Sequence, residues 1–171
     1  MTAIRPATAA LLATLALLAG LTVPVPGGAH DYAAGALTID HPYVLATPPN
    51  APVAGGYLVV ENAGPDDDRL VAVEVGVDVA GLVQLHEMAM DDGIMRMSEV
   101  PGGIEVPAGG AVTLERGGLH VMFMQLVDGL AAGDSFPATL VFERAGRVEV
   151  LFDVEARGAA QDHGAHGGHD D

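Results

Sequence analysis

The stretch VQLHEMAMDDGIMRMSEV, from Val83 to Val100, reads as a β-hairpin. Two runs, Val83–Met90 and Ile94–Val100, are joined by Asp91-Asp92-Gly93, residues that favour a tight turn. Side chains alternate along a strand. Gln84, His86, Met88 and Met90 therefore share one face, and Val83 and Leu85 the other. The return run brings Met95 and Met97 back alongside. Met97 falls near His86 and Met88, opposite or diagonal according to register.

Outward from this hairpin the same rhythm persists. Between Leu37 and Glu155, short apolar runs are separated by Gly, Pro, Asn and Asp clusters. Further strands are expected at Leu37–Ile39, Gly56–Asn62, Arg69–Val75, Gly103–Val106 and Ala111–Glu115, then at His120–Leu126, Ala138–Glu143 and Arg147–Val154. No pattern supports a helix of three turns, although Leu130–Gly133 has room for a single turn. The expectation is one all-β domain, a sandwich or barrel of antiparallel strands. Residues 158–171 contain only Gly, Ala, His, Asp and a single Gln, with no apolar run, so a disordered tail is expected there.

The N-terminus reads as an export signal. Arg5 is followed by the apolar run Ala7–Leu21, then by TVPVPGGA ending at Ala29. The run is shorter than the roughly 20 residues a bilayer span needs. Cleavage near Ala29 is expected, leaving a soluble periplasmic domain over 30–157 with no membrane insertion. A mature N-terminus at His30 would place an amine beside an imidazole, a pair able to chelate copper. No Cys follows the run, so a lipid anchor on sulfur is not expected.

Composition removes several classes of function. The 171 residues include 23 acidic and 7 basic groups, all the latter Arg, for a net charge of −16. Such acidity without a basic patch argues against nucleic acid as a partner. The absence of Cys excludes disulfides, thiolate zinc sites, iron–sulfur clusters, a thiol nucleophile and a Cys-ligated electron-transfer copper centre. Ser135 has no partners for a hydrolytic triad, and no glycine-rich phosphate loop opens a helix. An enzyme is not expected.

All six methionines after Met1 lie between Met88 and Met124, framed by His86 and His120. In His120–Leu126, alternation puts His120, Met122 and Met124 on one face, with Val121 and Phe123 opposite. Val83, Leu85, Val121 and Phe123 form a natural core face, which leaves the His/Met faces needing another explanation. Thioethers are soft and carry no proton, and imidazole also suits copper. A mixed set favours Cu(I) over oxygen-seeking Mg, Ca or Mn. A single such methionine is most simply core filler. Six in register with two histidines point to a metal site, with Met88, Met90, Met95 and Met124 left as packing or supporting residues.

These residues resemble the periplasmic copper chaperone family known as PCuAC over roughly Leu37–Glu155. The family pattern of His, Met eleven residues on, a later His and then Met one residue beyond reads here as His86, Met97, His120 and Met122. The flanks are similar too: Gly56-Tyr57-Leu58 running to Asn62, Val106-Pro107-Ala108-Gly109-Gly110, and Gly117-Gly118-Leu119 ahead of His120. The resemblance implies a cupredoxin-like, Greek-key β-sandwich with one Cu(I) held by those four residues near the surface. It also implies delivery to a cytochrome oxidase subunit, with a Sco-type copper protein as a partner. Related proteins carry His-rich tails linked to a second, Cu(II) site. His163, His166 and His169, beside Asp162, Asp170 and Asp171, are candidates for it.

Two other functions remain open at this point: copper storage or resistance without delivery, and a metal-free secreted adhesion or scaffold domain. His41, before Pro42-Tyr43, is expected to be structural. Asp66-Asp67-Asp68 and Asp91-Asp92 are expected to be solvated turns, since they lack the spacing of a calcium loop.

Overall fold

The computed structural model of the chain describes residues 32–91 and 93–158. The expected export segment 1–29 and the tail histidines lie outside them. Eleven strands and no helix occur among the described residues. They are β1 (Tyr32–Ala34), β2 (Leu37–Leu45), β3 (Val53–Asn62), β4 (Asp68–Val75), β5 (Ala80–Asp91) and β6 (Ile94–Glu99), followed by β7 (Ile104–Val106), β8 (Ala111–Leu114), β9 (Leu119–Leu126), β10 (Ser135–Phe142) and β11 (Gly146–Glu155). No helix among the described residues is long and apolar enough to cross a membrane. The Leu130–Gly133 segment holds no helical turn; instead a β-turn is closed by Asp134 N–H donating to Ala131 O at 3.1 Å.

The strands form one hydrogen-bonded path, β6-β5-β9-β3-β2-β11-β10-β4-β7, with β1 beside β2 and β8 beside β3. β3 changes neighbours along its length. Val53–Gly56 pair with β9, whereas Leu58–Glu61 pair with β8. The path folds over so that its two arms face each other. Phe123 of β9 packs edge-on against Phe136 of β10 and Phe152 of β11, each at 5.5 Å between ring centroids. This aromatic contact between strands far apart on the path is the centre of the sandwich. Alternation supplies the rest of the core: Ile39, Leu58, Val60, Leu70, Leu140 and Val121 are all buried.

Three further features depart from expectation. The arrangement is not wholly antiparallel, because β11 runs parallel to β2 through Asp153–Glu155. The early strand does not stop at Ile39. Asp40 pairs with Val59 and Tyr43 with Tyr57, so His41 and Pro42 together span the place of Leu58. This bulge lets β2 continue, because its unpaired position tolerates a residue without an N–H. His41 takes a φ of 48° there, and its Nε2 lies 2.6 Å from Glu155 Oε1, in keeping with a structural role.

Asp68 is the third departure, since it is buried rather than solvated. Its Oδ1 accepts from the N–H groups of Arg69 and Arg144, and its Oδ2 from Ala145. Burial opposes its charge. The three backbone donors outweigh that opposition and hold its carboxyl below the usual aspartate range. A side chain from the start of β4 thus clamps the β10–β11 turn.

Candidate metal centre

The Val83–Val100 hairpin forms β5 and β6, with Asp91 opposite Ile94 and Gly93 at φ 79° in the turn. β6 is the outer edge of its arm, and every one of its residues is exposed. β9 lies on the other side of β5, so β5 is the middle strand of the candidate site. Leu85, Val121 and Phe123 point into the core as alternation predicts. The opposite face carries the His and Met side chains.

The register places these residues on successive rungs. His86 stands directly opposite His120 on β9, while Gln84 is opposite Met122. On the other side, Met88 is opposite Met97 and Met90 opposite Met95. Met97 and Met122 are therefore both one rung diagonal to His86, within reach of long side chains. The His86 and His120 rings are 5.9 Å apart, centroid to centroid.

Hydrogen bonds define which ring nitrogens hold lone pairs. His120 Nδ1–H donates to Gly118 O at 3.0 Å, which leaves Nε2 as the lone-pair nitrogen. His86 Nε2–H donates to Gln84 Oε1 at 3.0 Å. Its Nδ1 is then the lone-pair nitrogen, and it is buried with no hydrogen-bond partner. An orphaned buried acceptor is costly unless something else satisfies it. This tautomer and this vacant lone pair fit a metal-ligand position.

An open groove of about 960 Å³ adjoins the cluster and is lined by Met88, Met97, His120 and Met122. Three of the four expected ligands thus share one groove, together with Met88. His86 is not part of that lining, although its ring adjoins His120. The set is graded in exposure. His120 is 5% exposed and Met97 47%, so the site is less superficial at the histidines than expected. Met90 and Met95 lie on the exposed outer part of the hairpin. Met124 sits two residues beyond Met122, opposite Leu82 and Val53. Among the described residues, no three His, Asp or Glu side chains converge as a conventional metal cluster. Sulfur donors are what make this cluster a candidate.

The rest of the groove's lining was not apparent in the sequence. It includes Tyr43, Tyr57, Glu115, Arg116 and Arg157, from four separate stretches of chain. Burial raises the Tyr43 phenol, with the Glu155 carboxylate adding to it. Burial likewise raises Tyr57, against the pull of Arg116 and Arg157. Both phenols therefore stay protonated donors. Only the β2 bulge and the β3 pairing bring Tyr43 and Tyr57 together, at 5.2 Å between ring centroids.

Comparison with known proteins gives a consistent result. A family model described as "Putative lipoprotein LpqE-like" matches residues 37–154. "Putative lipoprotein Lxx21020" of Leifsonia xyli subsp. xyli is 35% identical over 83 residues. That stretch is 48% of this chain and 49% of the relative, so the chain matches about half the relative's length. Among solved structures, the copper-bound PCuAC domain from PmoF2 is 31% identical with a TM-score of 0.61, over 74% of this chain and 98% of that one. The apo PCuAC domain from PmoF1 is 29% identical with a TM-score of 0.62, over 74% and 99% of the two chains. The Cu(I) form of DR1885 from Deinococcus radiodurans is 30% identical with a TM-score of 0.53, over 67% and 75%.

Proposed function

Because the chain belongs to the LpqE-like family and shares the cupredoxin-like fold of PCuAC domains, we propose that it is a copper chaperone binding Cu(I) through His86, Met97, His120 and Met122. The observation that carries this reading is the rung pattern. His86 faces His120, with Met97 and Met122 one rung away on either side. Two imidazoles and two thioethers make a soft, neutral donor set suited to a monovalent ion. Thioethers have no proton to lose, so that half of the site is indifferent to pH.

Copper is cargo here, and the chemistry is ligand exchange rather than catalysis. His120 is held by Gly118 O and buried, which orients it for binding. Met97 stands on the exposed edge strand, where an incoming donor can replace its sulfur first. Met88 shares the groove and supports the reading as a substitute thioether during exchange. The copper-bound structures of the PmoF2 domain and DR1885 support copper as the ion.

The finer reading follows the same line. The protein is exported to the periplasm after loss of residues 1–29. It delivers Cu(I) toward a cytochrome oxidase subunit with a Sco-type protein as partner. His163, His166 and His169 of the tail gather a second ion as Cu(II). These 171 residues contain no Cys. The competing reading is storage without delivery.

Cu(I) titration under reducing conditions tests the site, using the natural chain, Met97→Leu and His120→Ala. One tight site in the natural chain, lost in both variants, is the expected result. Unchanged affinity in both would end the proposal. Transfer of the bound ion to an apo oxidase fragment separates delivery from storage.

A further inference from the structure

We propose that the groove carries, beside its sulfur and imidazole donors, a subsite for a carboxylate formed by Arg116, Arg157, Tyr43 and Tyr57. The first observation is a census of arginines. Arg69 pairs with Glu105 and Glu143, Arg96 with Asp91, Arg144 with Asp66 and Arg147 with Glu74. Among the described residues, only Arg116 and Arg157 form no ion pair with a carboxylate. In a chain of net charge −16, acidic neighbours are abundant, so two unpaired guanidinium groups are unexpected. Both line the same groove.

The second observation is the company they keep. Both guanidinium groups act on the Tyr57 phenol, and Arg116 also acts on Tyr43. Arg157 is anchored by its Nε–H donating to Ala46 O at 2.7 Å, which leaves its terminal nitrogens free of that bond. Two planar cations and two protonated hydroxyls form a donor-rich wall. Glu115 also lines the groove and Glu155 lies close enough to act on Tyr43, yet neither carboxylate forms an ion pair with Arg116 or Arg157. A guanidinium fork matches a carboxylate with two parallel hydrogen bonds.

The unpaired arginines also have a bearing on the ion. Neutral imidazole and thioether donors leave Cu(I) with its full charge, and the arginines repel it. A bound carboxylate removes that repulsion, so carboxylate and Cu(I) strengthen each other's binding. This coupling rests on the copper reading, whereas carboxylate binding to the metal-free protein does not. The carboxylate comes either from a small dicarboxylic acid or from an acidic side chain of a docking protein.

The test is calorimetric titration of the metal-free full chain with glutarate and, separately, with the peptide acetyl-Gly-Asp-Glu-Gly-amide. Saturable binding of glutarate supports a small-molecule source, and binding of the peptide alone supports a protein source. In either case R116Q and the double variant R116Q/R157Q should bind about tenfold more weakly. R147Q, which removes an arginine outside the groove, should bind as the natural chain does. R116Q alone decides the matter if the double variant fails to fold. No saturable binding of either probe, or equal weakening by R147Q, overturns the subsite. If glutarate or peptide binds but Cu(I) does not, the copper reading fails and the subsite stands.

Discussion

His86 and His120 face each other across the β5–β9 pair with ring centroids 5.9 Å apart, and the N–H of each ring donates away from the other ring. Their free positions are set by different partners, Gln84 for one and the Gly118 carbonyl for the other. Each ring is therefore oriented by the protein before any ion arrives, which lowers the entropy lost on binding.

Met97→Leu should weaken Cu(I) binding by more than about tenfold while leaving stability nearly unchanged, since an exposed thioether is exchanged for a similar apolar volume. Thermal unfolding and a competition assay with a chromogenic Cu(I) chelator measure the two quantities. Met90→Leu, on the outer hairpin, is the control and should alter neither. Equal effects of both substitutions on affinity would show that the hairpin methionines act as an undifferentiated surface.

Gln84→Leu removes the acceptor that holds the His86 Nε2 proton. The ring can then adopt the other tautomer, and Cu(I) affinity should fall by about 10-fold. Gln84→Glu keeps an acceptor and should restore most of the loss. Nitrogen-15 chemical shifts of the His86 ring report the tautomer directly, independently of metal. An unchanged tautomer in Gln84→Leu would remove Gln84 from the account.

Asp68→Ala should destabilise the fold by about 2–4 kcal/mol, because three backbone N–H groups lose their acceptor at once. The pH dependence has a definite sign. The folded carboxyl titrates below its unfolded value, so the charged form favours folding. That contribution is complete above the unfolded carboxyl pKa of about 4 and is lost as pH falls through the lower, folded value. Urea unfolding between neutral and strongly acidic pH should show this loss in the natural chain and a flatter profile in Asp68→Ala.

Gly56→Ala probes the centre of the sandwich. A Cβ there would lie 2.6 Å from Phe123 Cε2 and 3.1 Å from Phe152 Cε1. Both rings are fully buried, so neither can swing aside freely. The expected loss is about 1–3 kcal/mol from overpacking, read by denaturant unfolding. A neutral result would show that the two facing arms separate more easily than the Phe contacts imply.

The His/Met faces are legible in the sequence because strand alternation has a fixed period of two. Once Val83, Leu85, Val121 and Phe123 were assigned to the core, His86, Met88, His120 and Met122 had to share the other side. The Asp91-Asp92-Gly93 turn likewise limited Met97 to a position opposite or diagonal to His86. The third aspartate of Asp66-Asp67-Asp68 misled, because composition alone marks an exposed turn. Its burial depends on Arg144 and Ala145, more than seventy residues away. The continuation of β2 through His41-Pro42 is hidden for a related reason, since it rests on a bulge against β3 that removes the need for the proline N–H.

The amino-acid order by itself determined that this is an all-β chain with a soft donor face, because periodicity and donor chemistry are local properties. Tertiary structure alone decided that β9 lies against β5, and hence that His120 meets His86 rather than a solvent edge. It alone gathered Tyr43, Tyr57, Arg116 and Arg157 into the lining of the same groove. Pairing between strands distant in sequence depends on which apolar faces close over one another, and no short stretch of residues encodes that choice.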